Sequence, residues 1–219
     1  MKLATFVLLG ILFLGSFASM QAADPAGAGQ VAMAFTGGAV YTSDTAGSCM
    51  FYPLLVGDFN MEYLFEIDGR APAVDKEHAY LIWVSDFSSL PMKPFSLPPA
   101  ANGLFTVQLV PTGSGTIYFS DVPRLRNWKD LTNRTTWGTP VATFTRLAGM
   151  FQSTDGGMSG GMTSSAVLLS SKPFKLNGVM FDFKDLMPHG MTCFETGFSG
   201  DDEWGDDEAG TCIAIGPGK

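Results

Sequence analysis

Charged residues and residues suited to catalysis are both scarce in this chain. Charged side chains make up 16% of its 219 residues, against about 25% in an average soluble domain. Histidine occurs twice, as His78 and His189, and neither lies in a recognisable catalytic or metal-binding spacing. There is no Cys-x-x-Cys pair either, which argues against a zinc site. The sequence therefore predicts a protein without an intact catalytic motif.

Basic residues are the scarcer of the two charged classes. The chain has 13 lysines and arginines against 21 aspartates and glutamates, and its net charge is −8. A protein that binds nucleic acid presents a basic face to the phosphates. The densest basic stretch holds only Arg124, Arg126, Lys129 and Arg134. We therefore expect no nucleic-acid partner and little attraction to anionic membrane surfaces.

Long apolar runs are missing from the chain after its N-terminal segment, so the mature chain has no predicted membrane span. The N-terminus combines Lys2, an apolar run over residues 3–14 and small residues up to Ala22 and Ala23. This order is typical of a cleavable signal peptide, and the run is too short to cross a hydrocarbon layer of about 30 Å. We predict a signal peptide over residues 1–23, with an uncleaved anchor as the alternative. One secreted or periplasmic domain is predicted over residues 24–219.

Short segments rich in β-branched and aromatic residues recur along the mature chain. Apolar and polar residues alternate over residues 61–67 and 179–183, while the continuously apolar residues 79–84 indicate a strand buried on both faces. Asp68–Gly69 and Asn177–Gly178 are typical of hairpin turns. The predicted strands are residues 30–35, 50–56, 60–67, 79–84, 104–110, 116–120, 140–146, 164–170, 179–183 and 211–215.

One segment, residues 121–132, has the features of a helix. Asp121 suits the position that caps a helix, Pro123 suits the first turn, and apolar residues recur at helical spacing behind them. Ten strands and one short helix predict an all-β fold. The expected architecture is an antiparallel β-sandwich or a barrel-like domain.

The chain has three cysteines, Cys49, Cys193 and Cys212. In an oxidising compartment two of them are expected to form a disulfide. We predict the pair Cys193–Cys212 because it closes a local loop, for which the chain-entropy relation gives a stabilisation of roughly 3 kcal/mol. Cys49 is then free or buried. A disulfide between Cys49 and either of the others remains an alternative.

The most unusual local feature is a segment of crowded carboxylates near the C-terminus. Such carboxylates repel one another unless they are screened or neutralised. Clustered carboxylates are more often a solvated loop, but calcium takes about six to eight oxygen ligands, so the segment is also a candidate calcium site. The register of an EF-hand is absent. The candidate ligands are Asp201, Asp202, Glu203, Asp206, Asp207 and Glu208.

The segment Gly157-Met158-Ser159-Gly160-Gly161 matches the pattern G-x-S-x-G of a nucleophile elbow. That elbow needs a strand before the serine and a helix after it. Here the small residues 153–161 predict a flexible loop, and the residues that follow are strand-like. His78 is expected at the start of a strand and His189 in a turn. The sequence therefore favours a loop over a catalytic Ser159.

These features together favour an exported, non-catalytic, β-rich protein that binds a ligand or serves the cell envelope. A carbohydrate or another envelope component is a candidate partner, and calcium is the only candidate cofactor. The alternative is a secreted hydrolase that acts on polysaccharide or peptide, with a carboxylate or Ser159 as the catalytic group. The sequence indicates no oligomeric state.

Overall fold

The architecture follows from a computed structural model of the chain. The structure describes residues 30–43, 46–55, 77–88, 95–100, 103–109, 113–129, 133–154, 159–199 and 206–215. This part of the chain is almost entirely β. Its strands are β1 (Val31–Ser43), β2 (Ala46–Leu55), β3 (Leu81–Ser88), β4 (Phe95–Ala100), β5 (Gly103–Leu109), β6 (Gly113–Phe119), β7 (Thr139–Thr154), β8 (Ser159–Ser171), β9 (Phe174–Leu176), β10 (Val179–Phe181), β11 (Met191–Ser199) and β12 (Asp206–Ala214), and its helix is α1 (Phe183–Leu186).

Eight of these strands close into an antiparallel barrel. Their order around the barrel is β1, β2, β3, β6, β7, β8, β11, β12, and β12 pairs with β1 to complete the circle. Each barrel strand therefore pairs with the next barrel strand along the chain, as in an up-and-down meander. The predicted all-β, barrel-like fold is confirmed.

Two hairpins are inserted into this meander. The hairpin β4–β5 lies between β3 and β6, and β5 continues the sheet along the far half of β7. The hairpin β9–β10 and helix α1 lie between β8 and β11 and form a small separate sheet and a single turn. Because neighbouring barrel strands are antiparallel, β1–β2, β7–β8 and β11–β12 are joined at one end of the barrel, which we call the hairpin end. The opposite end, which carries β9, β10 and α1, we call the plug end.

Aromatic side chains close the plug end. The ring of Phe174 lies 5.7 Å from that of Phe181 and 5.9 Å from that of Phe183. Phe183, which has no exposed surface, meets the barrel residue Phe144 edge-on at 6.3 Å. Helix α1 is held here by Asp182, whose carboxylate accepts a hydrogen bond from the backbone N–H of Lys184 and another from the hydroxyl of Ser171. The plug end is thus sealed by tightly packed rings.

Residues 120–129 and 133–138 cover the outer face of β3 and β6. Ile82 and Val84, on the outward side of β3, are each 1% exposed. Trp137 is fully buried in this layer and lies edge-on to Tyr118, with ring centres 5.9 Å apart. Both faces of β3 are buried, as predicted for residues 79–84, and the strand begins at Leu81.

The helix predicted for residues 121–132 is wrong over residues 121–129, the part that the structure describes. The segment contains a 3₁₀ turn over Pro123–Leu125, and Arg126 follows it with extended backbone, at ψ 136°. This conformation directs the Arg126 guanidinium to the backbone carbonyls of Ala79, Tyr80 and Trp137, which accept hydrogen bonds from it. Burial lowers the pKa of Arg126 to about 10. These tertiary hydrogen bonds outweigh the weak local preference for a helix.

Most other strand predictions are confirmed with shifted or longer bounds, but the strand predicted over residues 179–183 ends at Phe181, because Phe183 begins α1. Three strands were missed, β4, β9 and β11. The turn at Asn177–Gly178 is confirmed, since both residues have positive φ, at 50° and 88°. The predicted strand over residues 60–67 and the Asp68–Gly69 turn lie outside the described residues. The predicted loop over residues 153–161 is wrong at its ends, because Ser153 belongs to β7 and Ser159 begins β8.

Candidate functional site

The interior of the barrel changes character from one end to the other. Large apolar side chains fill the plug half and the middle, where Phe35 and Trp83 meet edge-on at 5.3 Å. Toward the hairpin end several inward positions are glycines. At two of them a side chain would have no space. A Cβ atom at Gly115 would lie 2.7 Å from Trp83 Nε1, and a Cβ atom at Gly210 would lie 2.3 Å from the Phe194 carbonyl oxygen.

Charged side chains enter this glycine-lined half of the barrel. Arg146 projects inward from β7 and is 6% exposed, and Glu195 projects inward from β11 and is 7% exposed. Glu208, on β12, is half-buried on the same interior face. Arg146 Nη2 donates a hydrogen bond of 2.9 Å to Ser85 Oγ. A buried charge is costly unless it is paired, so this cluster is unusual for a structural interior.

Glu195 is the most unusual member of this cluster. Its Oε1 atom is buried and accepts no hydrogen bond from any residue that the structure describes. Burial raises the pKa of Glu195 to about 8, the nearby Glu208 carboxylate adds to the rise, and Arg146 opposes it. Near neutral pH the Glu195 carboxyl therefore holds a proton for much of the time.

The strand register explains how the two carboxyls come together. Glu195 is paired with Gly210 on β12, and Glu208 is paired with Gly197 on β11. The two glutamates are thus diagonal neighbours on the inward face, within the reach of long side chains. Because each one faces a glycine, no Cβ atom stands between them. A side chain at position 210 would also collide with the Cβ atom of Glu195, at 2.8 Å.

The disulfide holds this register. Cys193 and Cys212 are directly paired on β11 and β12 and are bonded, as predicted. They lie two residues from Glu195 and Gly210, on the same inward face. Cys49 is buried and forms no disulfide, which agrees with the prediction for it. The cross-link fixes the position of Glu195 relative to Glu208.

The barrel interior has little free volume below this cluster. A cavity of about 10 Å³ is lined by Trp83, Ser85, Arg146 and Ser164, among others. This is room for roughly one water molecule. At this place in the interior a ligand of several atoms therefore has no space.

The structure describes only part of the predicted calcium site. Asp201, Asp202 and Glu203 lie outside the described residues, and Asp206 and Asp207 are described only as backbone of β12. Glu208 is the one candidate ligand whose side chain is described, and it points toward Glu195. Among the described residues no group of three or more histidine, cysteine or carboxylate side chains is placed to hold a metal. The calcium site stays a prediction.

Ser159 and the two histidines lie at opposite ends of the barrel. Ser159 is paired with Thr154 and Phe198 at the hairpin end. His189 lies just before β11 and His78 just before β3, both at the plug end. The stretch of β11 from Met191 to Phe198 alone separates the ends by about 23 Å at about 3.3 Å per residue. Neither histidine therefore reaches Ser159.

Sequence reasoning missed Arg146 and Glu195. Each has a detectable signal, namely a charged residue at an inward position of an alternating strand. In Met191-Thr192-Cys193-Phe194-Glu195 the period of two places Glu195 on the same face as Met191 and Cys193. The signal for Glu195 was not available because β11 was not predicted as a strand, whereas Arg146 ends the predicted strand over residues 140–146 and its inward position was overlooked.

Comparison of the chain with models of known protein families, with curated proteins and with solved structures found no match. Within the described ranges, no helix is both long and apolar enough to cross a membrane. The function is therefore inferred from the geometry of the barrel alone.

Proposed function

We propose that this chain is an exported, non-catalytic binding protein whose ligand site lies at the hairpin end of the barrel. The observation that carries this proposal is the buried Glu195 carboxyl, which lacks a hydrogen-bond partner for Oε1 among the described residues and lies beside Glu208 and Arg146. Polar groups buried without partners are rare in structural cores and are frequent at functional sites.

The distribution of volume and charge indicates where a ligand binds. Inside the barrel, the cavity beside Arg146 holds only about 10 Å³, so we place the ligand site at the hairpin end rather than in the barrel core. This end also carries the acidic segment that connects β11 and β12, and the whole chain is acidic. A site with such a field attracts positively charged groups. The ligand is therefore a cation, or an envelope component or carbohydrate bound through one.

Calcium is the cation proposed for the acidic segment. Glu208 is the last of its six carboxylates, and through β12 it links the segment to Glu195. Calcium bound by these oxygens would stabilise the native protein by mass action. Melting curves with calcium and with a chelator test this proposal, because identical curves would support the solvated loop.

A secreted hydrolase is the second candidate, and the glutamate pair is the observation that favours it. Two neighbouring carboxyls are the usual acid and base of such enzymes. Hydrolysis of a polysaccharide also needs a cleft that exposes both carboxyls to the substrate. Glu195 is 7% exposed, and the cavity nearby has about 10 Å³. Binding is therefore the better-supported function.

A ligand screen on the mature protein tests the proposal. Melting temperatures are measured against inorganic cations and amines, in parallel with a glycan array and a general hydrolase screen. A ligand whose effect is lost in Glu208→Gln and retained in the exposed control Glu77→Gln supports the proposal. Turnover of a polysaccharide or peptide that Glu195→Gln abolishes would replace it with the hydrolase.

A further inference from the structure

A groove of about 490 Å³ lies beside the plug end of the barrel, where β6 ends and β7 begins. Its walls are built around the 3₁₀ turn at Pro123–Leu125 and a second 3₁₀ turn, Arg134–Thr136. The ring of Phe119, which lines the groove, lies 5.2 Å from the ring of Phe174 on β9. The groove is therefore at the opposite end of the barrel from the hairpin-end site. Its volume is typical of small-molecule sites, which have about 300–1,000 Å³.

Hydrogen bonds hold the walls of this groove in place. The Ser120 hydroxyl accepts a hydrogen bond of 3.2 Å from the backbone N–H of Val122. The Thr136 hydroxyl accepts one of 2.7 Å from the backbone N–H of Asn127, and this bond joins the two turns. The groove is therefore formed before a ligand binds, so binding has few additional groups to order.

The polar side chains of the groove are hydroxyls and one carboxylate. The hydroxyls belong to Ser120, Thr135, Thr136 and Thr139, and the carboxylate is that of the exposed Asp121. The described residues that line the groove include no arginine, lysine or histidine. A carboxylate only accepts hydrogen bonds, whereas a hydroxyl both donates and accepts them. Because a carboxylate also repels anions, the groove favours an uncharged or positively charged ligand that is rich in hydrogen-bond donors.

Two exposed apolar side chains stand beside this carboxylate. Val122 is 47% exposed and Leu125 is 71% exposed, and both line the groove. The backbone N–H of Leu125 donates a hydrogen bond of 3.1 Å to the Val122 carbonyl, so the two side chains belong to one fixed turn. They offer an apolar surface next to the polar groups. A sugar ring matches this arrangement, because it has hydroxyls around its edge and C–H groups on its faces.

We propose that the groove binds a small saccharide, uncharged or bearing an amino group. Asp121 accepts hydrogen bonds from the sugar hydroxyls, and Val122 and Leu125 contact the C–H face of the ring. This inference goes beyond the proposed function, because neither Glu195 nor Glu208 lines the groove. It does not depend on a cation at the hairpin end.

The experiment measures binding of defined sugars to the mature protein by saturation-transfer NMR. The probes are glucose, N-acetylglucosamine, glucosamine and cellobiose, with glucuronate as the anionic sugar and butylamine as an amine without hydroxyls, each at millimolar concentration. We expect at least one uncharged or amino sugar to bind. Glucuronate should bind more weakly because Asp121 repels its carboxylate. Butylamine should bind more weakly because it cannot use the threonine hydroxyls.

Four exposed variants locate the site. Asp121→Asn should weaken binding of the sugar by about tenfold or more, because a hydrogen bond to a charged group is lost. Leu125→Ala should weaken it by roughly three- to tenfold, because apolar contact area is lost. The matched controls Glu77→Gln and Leu169→Ala lie outside the groove and should bind as the wild type does. Because all four side chains are exposed, each variant should fold, and its melting curve checks this.

Four outcomes overturn the proposal. The first is that none of the sugars binds, and the second is that glucuronate or butylamine binds as tightly as the best uncharged or amino sugar. The third is that Asp121→Asn and Leu125→Ala bind the sugar as tightly as their controls. The fourth is that sugar binding is lost in Glu208→Gln and retained in Asp121→Asn. That result places the sugar at the hairpin end, so it removes the groove and supports the proposed function.

Discussion

At the scale of single residues, the buried polar side chains are the energetically unfavourable part of the fold. Arg126 donates hydrogen bonds from its guanidinium to three backbone carbonyls and thereby fixes residues 120–129 to the start of β3. Arg146 and Glu195 are equally buried but lack comparable partners within the described chain. A buried charge with a full set of hydrogen bonds serves structure, and one without them indicates a ligand site.

The raised pKa of Glu195 predicts that stability falls as pH rises. Because the folded protein binds this proton more tightly than the unfolded chain, the stabilisation is complete below about pH 4.5 and is lost as pH approaches 8. The loss should be on the order of a few kcal/mol, at about 1.4 kcal/mol per pKa unit. Urea unfolding between pH 5 and pH 8, about the range of the shift, should show this slope in the wild type and in Glu77→Gln. A Glu195→Gln protein with the same slope would contradict the assignment.

Arg126 makes a second prediction at this scale. Arg126→Met removes the donor from three carbonyls and should lower the free energy of unfolding by roughly 3–5 kcal/mol. Lys129→Met, an exposed change in the same segment, should alter it by less than about 0.5 kcal/mol. Urea unfolding of both variants measures the difference, and equal stabilities would show that Arg126 does not hold the segment.

At the scale of elements, the strand pair β11–β12 carries both the disulfide and the glutamates. Without reductant, thiol labelling should find no accessible cysteine in the native protein and one in the unfolded protein, Cys49. Peptide mapping should join Cys193 to Cys212. The double variant Cys193→Ala with Cys212→Ala should lose roughly 3 kcal/mol of stability, whereas Cys49→Ala should keep the cross-link. A mapped bond to Cys49 would contradict the register of this strand pair.

The segment between β6 and β7 shows why one element was predicted incorrectly. Residues 121–132 have a capping residue, a proline and apolar spacing suited to a helix, yet over the described residues 121–129 only a 3₁₀ turn forms. Trp128 and Trp137 pack against each other at 5.2 Å, and Arg134 binds Asp86 through two hydrogen bonds of 2.6 and 2.7 Å. These contacts involve residues distant along the chain. Local propensity, at a few tenths of a kcal/mol per residue, does not compete with them.

At the scale of the whole molecule, side chains pack the described interior of the barrel, and aromatic rings close its plug end. Its adjacent strands are also neighbours along the chain, apart from the two insertions, so the meander needs only local pairings and one closing contact, β12 with β1. Closure removes the exposed edges that an open sheet of this length would present. Because the barrel strands are paired all round, the connections at the hairpin end are the part of the site that can change without disturbing the barrel.

Export is a prediction that concerns the whole chain. When the full sequence is expressed with a secretion pathway, the extracytoplasmic protein should begin at Ala23 or Asp24, because the small residues before these positions suit the peptidase. N-terminal sequencing checks this. Intact Met1 in that fraction would support the uncleaved anchor instead, and Lys2→Glu should reduce the exported amount by weakening the basic end of the signal.

The sequence by itself determined the all-β class and the Asn177–Gly178 turn, indicated a strand buried on both faces near residues 79–84, and favoured the pair Cys193–Cys212, because each depends on residues near one another along the chain. Only the tertiary structure decided that the sheet closes into a barrel, that residues 121–129 are not a helix, and that Arg146, Glu195 and Glu208 meet inside it. These three residues come from β7, β11 and β12, and their meeting requires a register set by the pairing of strands around the whole circle. Burial then changes the charge of Glu195, and a local pattern of residues contains no information about burial.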